Sequence, residues 1–433
     1  MDLLIRNGRV IDPASGADEK LDVLIVDGRI AEVRAGIRAG TARTIDASGL
    51  VVAPGFIDMH VHLREPGFEE KETIRTGSRA AARGGFTTVC CMPNTNPVND
   101  SLSILESIKA EARKSAIVNI LPIAAVTRGL KGTDLVDMAA LVRAGAVAFS
   151  DDGQPVGNSL IMRRALELSR SLGTLVIDHC EDKGLSADGV MHEGRHSRRC
   201  GLKGIPVAAE EVMVVRDIRL AETTGARVHI AHLSVKGAIR AVEEAKERGV
   251  RVTAEAAPHH ILLTDAQVEK RDANFKMNPP LRSAEDVKAL VEAVKNGVID
   301  AIATDHAPHT VRDKEAAFDK APFGVVGLET AVALLLDKFV RTNIISLRRF
   351  VELLSTNPAR LLGLVNKGRL AVGADADITL LDLGKETVVD RNKFESKGRN
   401  TPFNGWQLKG AAVMTVVGGK VVFPFQPETG AAC

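Results

Sequence analysis

Between residues 53 and 365, short apolar runs alternate with amphipathic stretches. The runs are GFIDMHVHL, FTTVCCMP, IVNILPIAAVT, GAVAFSDDG, GTLVIDHC, ARVHIAHLS, RVTAEAAPHH and IDAIATDHAPH. Near-continuous apolar strands of this kind belong to a parallel sheet covered on both faces. The stretches between them, such as KETIRTGSRAAARGG, SLIMRRALELSRSLG and VKGAIRAVEEAKERG, have helical periodicity and end in Gly, the usual C-terminal cap. Eight strand–helix units predict an α/β fold, a (β/α)8 TIM barrel over 53–365. The two ends have a different texture. LLIRNGRVID, DVLIVDGRIAEV and RTIDASGLVV at the start, and GADADITLLDL and AAVMTVVGGKVVFP near the end, are strand patterns broken by Asp27-Gly28 and Gly418-Gly419. Neither end has enough strands to bury a sheet face alone. Residues 1–52 and 366–433 are therefore expected to join in one small β-sandwich.

Composition narrows the classes of function. Hydrophobic residues make up 45% of the chain, which suits a full core, and the net charge of +2 supplies no field for nucleic acid or an anionic membrane. Aromatic residues are few (13 Phe, 1 Trp, no Tyr), so a base-stacking platform is not expected. No apolar run reaches a membrane span, and MDLLIRNGRV reads as a strand and turn, not as a signal peptide. Five cysteines without paired spacing argue against a disulfide framework and for a reducing cytoplasm.

The polar residues gather at one end of the barrel runs, where the active site of such a barrel lies. Strand alternation puts Asp58, His60, His62 and Arg64 on one face of the first run. A lone His-x-His is weak, since two half-buried histidines give the same pattern. In the fifth run Leu175, Ile177 and His179 share parity, and Cys180 faces away as a structural residue. In the sixth, Val228 and Ile230 share parity with His232, so His229 is expected to pack outward against the helices. In the fourth, small Ala148 and Ser150 suit the interior, which selects Asp152 over Asp151. Asp305 and His309 share parity in the eighth. His60, His62, His179, His232, Asp152 and Asp305 thus converge. Nitrogen and oxygen donors without thiolate suit zinc, and six donors are too many for one tetrahedral ion, so two zinc ions joined by a bridging carboxylate are expected. Such a pair acidifies a shared water and polarises a carbonyl, which is chemistry for attacking an amide. Asp305 is the candidate proton shuttle.

These residues sit in GFIDMHVHLREPG (55–67), MPNTNP (92–97), FSDDG (149–153), HCE (179–181), HIAHLS (229–234), KMNPPLR (276–282) and ATDHAPH (303–309), with TNPAR (356–360) and GADADITLLD (373–382) beyond the barrel. Together they resemble the amidohydrolase superfamily, and within it the class I bacterial dihydroorotases. The resemblance implies reversible zinc-dependent hydrolysis of dihydroorotate to N-carbamoyl-aspartate. It implies zinc ligands His60, His62, Asp152, His179, His232 and Asp305, with Asp152 as the bridge. It also implies substrate contacts from His62, Arg64, Asn94, Asn278, His309, Phe323 and Gly324. Arg64 suits a substrate carboxylate, because a guanidinium pairs with one bidentately. Many hydantoinase-like relatives bridge their metals with a carboxylated lysine after the fourth strand; FSDDG has none, and hydantoins need no carboxylate clamp. A non-catalytic partner of aspartate transcarbamoylase is the other reading, but such partners have lost ligands and all six are present. A homodimer and an assembly with aspartate transcarbamoylase are both compatible with the resemblance. The segment 311–326, VRDKEAAFDKAPFGVV, is expected to be a mobile lid. His259 and His260 have no assigned role.

Overall fold

The computed structural model describes residues 2–38 and 40–424; residues 425–433 of the expected C-terminal segment lie outside the described residues. The barrel strands Phe56–Val61, Phe86–Cys91 and Asn119–Pro122 pair in parallel, as do Val176–Asp178, Val228–Ile230, Val252–Ala256 and Ala301–Ile302. The fourth position is held by Phe149, which bridges Ala124 on one side and Val176 on the other; a bridge from Val61 to His306 closes the ring. The fold is a TIM barrel with a β-sandwich domain. Met59, Cys90, Ile123, Ala148, Leu175, Ile177 and Ala301 fill the barrel, while Val89, Phe149, Val228 and Ile230 pack with the helices outside it. Helices end where the sequence places glycine: Ile74–Gly84, Ser159–Leu172 and Ala208–Thr224 stop at left-handed Gly85, Gly173 and Gly225.

The chain ends meet in one sheet of eight strands. Val51–Pro54 pairs in parallel with Leu3–Asp12 and antiparallel with Ile378–Val388, which joins the N-terminal strands to the C-terminal ones. Asp27-Gly28 and Gly418-Gly419 both turn with positive φ, as hairpin turns of this type require. The sheet closes on Leu3, Ile5, Val23, Ile25, Val52, Ile378, Leu380 and Val416. Val51–Pro54 spans the expected junction at 52/53, so this sheet runs almost directly into the first barrel strand. Between Ile378–Val388 and Gln407–Val417 the chain crosses to the barrel mouth, where Asn400 donates through Nδ2 to the carbonyls of Ala307 (3.0 Å) and Gly324 (3.1 Å). No helix among the described residues is long and apolar enough to cross a membrane.

The far end of the barrel is closed by aromatic packing. Phe56 is fully buried and meets Phe350 (5.5 Å between ring centroids) and Phe86 (6.3 Å) edge-to-face. Phe56→Ala is expected to cost about 3–5 kcal/mol, because the cavity lies between rigid elements that cannot collapse onto it. Thermal unfolding should record a lowered midpoint; an unchanged midpoint would contradict this packing account.

Candidate active site

Strand ends, bulges and loops bring the predicted donors together at the barrel mouth. The register of the first strand slips between Asp58 and Val61. This bulge leaves Met59 in the barrel interior and still aims His60 and His62 at the centre. Asp58, expected on the same face, instead accepts from the backbone N–H groups of His60 (3.0 Å) and Thr304 (3.1 Å) and from the Thr304 hydroxyl (2.6 Å), tying the first strand to the eighth. Arg64, His232 and Asp305 have left-handed backbone with φ of 64°, 32° and 48°. Such conformations cost of order 1–3 kcal/mol for a non-glycine residue and cluster at functional sites.

Asp152 lies at the middle. Its Oδ1 is 3.3 Å from His60 Nε2, 3.5 Å from His179 Nδ1 and 3.5 Å from His232 Nε2, and its Oδ2 is 3.4 Å from His62 Nε2. Asp305 Oδ1 lies 3.2 Å from His62 Nε2 and 3.5 Å from His60 Nε2. His60, His62 and Asp305 form one close group of donors and His60, Asp152 and His232 a second, with His179 Nδ1 3.0 Å from His232 Nε2. Asp151 accepts from the N–H groups of Val126 (2.8 Å) and Thr127 (2.9 Å) and is structural. Burial alone would raise the Asp152 carboxyl, but the imidazoles of His60, His179 and His232 hold it well below the usual carboxylate range. His60 Nε2 and Asp152 Oδ1 are buried, face each other, and have no hydrogen-bond partner. An unsatisfied buried polar atom costs about 1–3 kcal/mol, so this donor set fits divalent cations.

Three imidazoles are held from behind, an arrangement that fixes ring orientation in metal sites. Glu255 bridges His60 Nδ1 (2.9 Å) and His229 Nε2 (3.1 Å). Burial would raise its pKa, but those two partners draw it down to about 2. Asn94 Oδ1 meets His62 Nδ1 at 2.9 Å, and Glu181 Oε2 meets His179 Nε2 at 2.9 Å. The expectation for His229 is corrected here. Val228 and Ile230 belong to the helix-facing core with Val214 and Ile239, so His229 points inward and supports Glu255. His232 still reaches the centre because its left-handed backbone breaks the alternation.

A cavity of about 330 Å³ opens over this centre. Of the predicted residues, His62, Arg64, Asn94, Asp152, His179, His232, Asn278, Asp305, His309, Phe323 and Gly324 line it; His60 lies beneath, fully buried. The Arg64 guanidinium is half-buried, donates from Nε to the Pro308 carbonyl (3.2 Å), and has no carboxylate within ion-pair distance among the described residues. His309 donates from Nε2 to the Phe323 carbonyl (2.7 Å); burial, and then Arg64, pull its pKa down to about 2, so it is neutral and Arg64 is the cation facing the cavity beside it. Asn278 donates through Nδ2 to Glu181 (2.8 Å), so its carbonyl oxygen is left for a ligand. His260 Nε2 donates to the Pro279 carbonyl (2.8 Å) and fixes the turn that carries Asn278. Glu255 and Asn400 were missed in the sequence, and Glu181, inside the motif HCE, was given no role there. The one available signal was a lone acid in the otherwise apolar run RVTAEAAP.

The segment 311–326 contains the short helix Val311–Lys314, and Phe318, Ala321, Val325 and Val326 are buried. The Gly324 N–H donates to the Lys276 carbonyl (3.0 Å) and the Val326 N–H to the Asn400 carbonyl (2.9 Å), so both sides of the turn are fastened to the barrel mouth.

Residues 49–238 match a family model described as dihydro-orotase-like. The chain is 58% identical over 422 residues to a dihydroorotase of Pelotomaculum thermopropionicum, covering 98% of each chain. It is 52% identical to a dihydroorotase of Geobacter metallireducens, covering 98% of this chain and 100% of that one. Among solved structures it resembles the L-hydantoinase (dihydropyrimidinase) of Arthrobacter aurescens, with TM-score 0.88, 30% identity and coverage of 97% and 96%. A dihydropyrimidinase of Brevibacillus agri gives TM-score 0.84 at 27% identity, covering 98% of this chain and 95% of that one. The fold is thus shared with these hydantoinase and dihydropyrimidinase structures, and near-full-length identity above one half shows that the chain belongs to the dihydroorotase family.

Proposed function

We propose that the chain is a dihydroorotase, interconverting (S)-dihydroorotate and N-carbamoyl-L-aspartate, with two zinc ions held by His60, His62, His179, His232, Asp305 and the bridging Asp152. The observation that carries the substrate assignment is Arg64, a half-buried cation at the cavity without a carboxylate partner among the described residues. Dihydroorotate brings that carboxylate, and hydantoins do not. Zinc ions there would supply Lewis acidity, lowering the pKa of water and polarising the ring carbonyl.

The protein's own groups account for orientation and proton transfer. Arg64 grips the carboxylate, with neutral His309 beside it. Asn94, whose Oδ1 is hydrogen-bonded to His62 Nδ1, and Asn278, which donates to Glu181 behind His179, offer their remaining amide atoms to the ring. Asp305, ionised and directed into the cavity, takes the proton from water as its oxygen adds to the ring carbonyl carbon. As the carbon–nitrogen bond breaks, the Asp305 carboxyl returns that proton to the departing ring nitrogen. Cyclisation reverses these steps. The turn at Phe323 and Gly324 walls the cavity and limits water.

Arg64→Ala should lower kcat/KM for dihydroorotate by about 10- to 100-fold, the loss of a charged hydrogen-bonded pair, while metal content stays at the parent value. Steady-state kinetics with metal analysis checks this; parental kinetics would point instead to a hydantoinase-like substrate. Glu255→Gln leaves all six zinc donors in place but weakens the support of His60. Competition with a chelator should show zinc bound about 10- to 100-fold more weakly. Unchanged affinity would make Glu255 a packing residue.

A further inference from the structure

Two lysines that play no part in the chemistry above fasten the cavity wall. Lys276 is 3% exposed, and its ammonium donates to the carbonyls of Phe318 (2.8 Å) and Asp319 (3.2 Å). The same ammonium lies 4.7 Å from the centre of the Phe323 ring, within cation–π range. Lys314 donates to the carbonyls of Ala273 (3.0 Å), Lys276 (3.1 Å) and Pro322 (2.8 Å). An ammonium has three N–H donors, and here all three meet backbone oxygens drawn from two separate segments. Neither lysine has a carboxylate within ion-pair distance among the described residues. Burial draws Lys276 down to about 8, and burial followed by the Lys276 charge draws Lys314 down to about 7. Lys276 is buried and Lys314 half-buried, and both side chains have carbonyl oxygens as their partners.

These contacts join the segment leading into Asn278 to the turn that presents Phe323 and Gly324. Lys276 serves from both ends: its ammonium holds the turn, and its carbonyl accepts from Lys314 and from the Gly324 N–H (3.0 Å). Gly324 has φ of 130°, and a Cβ there would come within 2.9 Å of the Ala307 carbonyl oxygen, so the wall is set close against the mouth of the eighth strand. We infer that Lys276 and Lys314 are positioning residues for the substrate: their ammonium groups hold Phe323 and Gly324 in place, and losing either opens that wall while leaving the metal centre intact. The inference rests on the dihydroorotase reading for its kinetic readout only.

The test uses the metal-loaded full chain with Lys276→Met and Lys314→Met. If removal of one ammonium leaves the wall in place about one-tenth of the time, KM for dihydroorotate rises about 10-fold, since apparent affinity scales with the competent fraction. Saturating substrate restores the closed wall, so kcat stays within about twofold by the same reasoning. Amide hydrogen exchange across residues 317–324 accelerates, and metal content equals the parent's. Propylammonium added to Lys314→Ala recovers KM, and neutral butanol does not. Unchanged KM together with unchanged exchange overturns the inference. So does a joint loss of kcat and bound metal, which would make the lysines general supports of the fold. If the parent itself fails to turn over dihydroorotate, the functional reading fails, and the exchange comparison alone decides the role of the lysines.

Discussion

A carboxylate buried among imidazoles holds its place only if charge is balanced locally, and Asp152 sets that requirement for the whole barrel mouth. Its two oxygens face His60, His62, His179 and His232 at 3.3–3.5 Å. The unpartnered His60 Nε2 and Asp152 Oδ1 show that protein contacts alone leave the cluster unsatisfied. The family implies a divalent metal, which would complete it, and the rest of the site is arranged so that the donors cannot turn away. Glu255, Asn94 and Glu181 each occupy the far nitrogen of one imidazole. Removing a partner from such a buried network costs more than the network's net contribution to stability, because the remaining charge is stranded.

The surrounding fold absorbs the cost of that convergence. Three of the candidate site residues, Arg64, His232 and Asp305, sit in left-handed backbone. The loops that carry them are pinned by groups far away in sequence. His306 meets the buried Glu72 at 3.3 Å, and Glu72 also accepts from the Ser396 hydroxyl and the Lys397 N–H, on the segment that crosses from the sandwich. Asn400, on the same segment, fixes the carbonyls of Ala307 and Gly324. The sandwich is therefore more than a place to join the chain ends, since its crossing segment holds the Ala307 and Gly324 side of the cavity.

Much of this was legible in the chain, and the exceptions have identifiable causes. Alternation of side chains was reliable where strands are regular. Leu175, Ile177 and His179 share the interior, and Ala148 and Ser150 select Asp152. It failed where the backbone is not extended. The bulge at Asp58–Val61 removed Asp58 from the site, and left-handed His232 faces the centre although His229, of opposite parity, also points inward. Glu255 could not be paired with His60 from sequence, because the two are 195 residues apart and only barrel closure brings them together. The fastenings of the turn at Phe323, Lys276 and Asn400, belong to other segments, so they left no signal in 311–326 itself. Periodicity reports which face a residue occupies, and tertiary hydrogen bonds to backbone leave no such trace.

The most direct measurement sets the metal content of the purified chain beside its rate on (S)-dihydroorotate. The account predicts two zinc ions per chain, turnover of dihydroorotate but not of a simple hydantoin, loss of turnover on chelation, and recovery when zinc is returned. Dihydroorotate turnover that persists after complete removal of metal, or turnover of hydantoin in place of dihydroorotate, would contradict it.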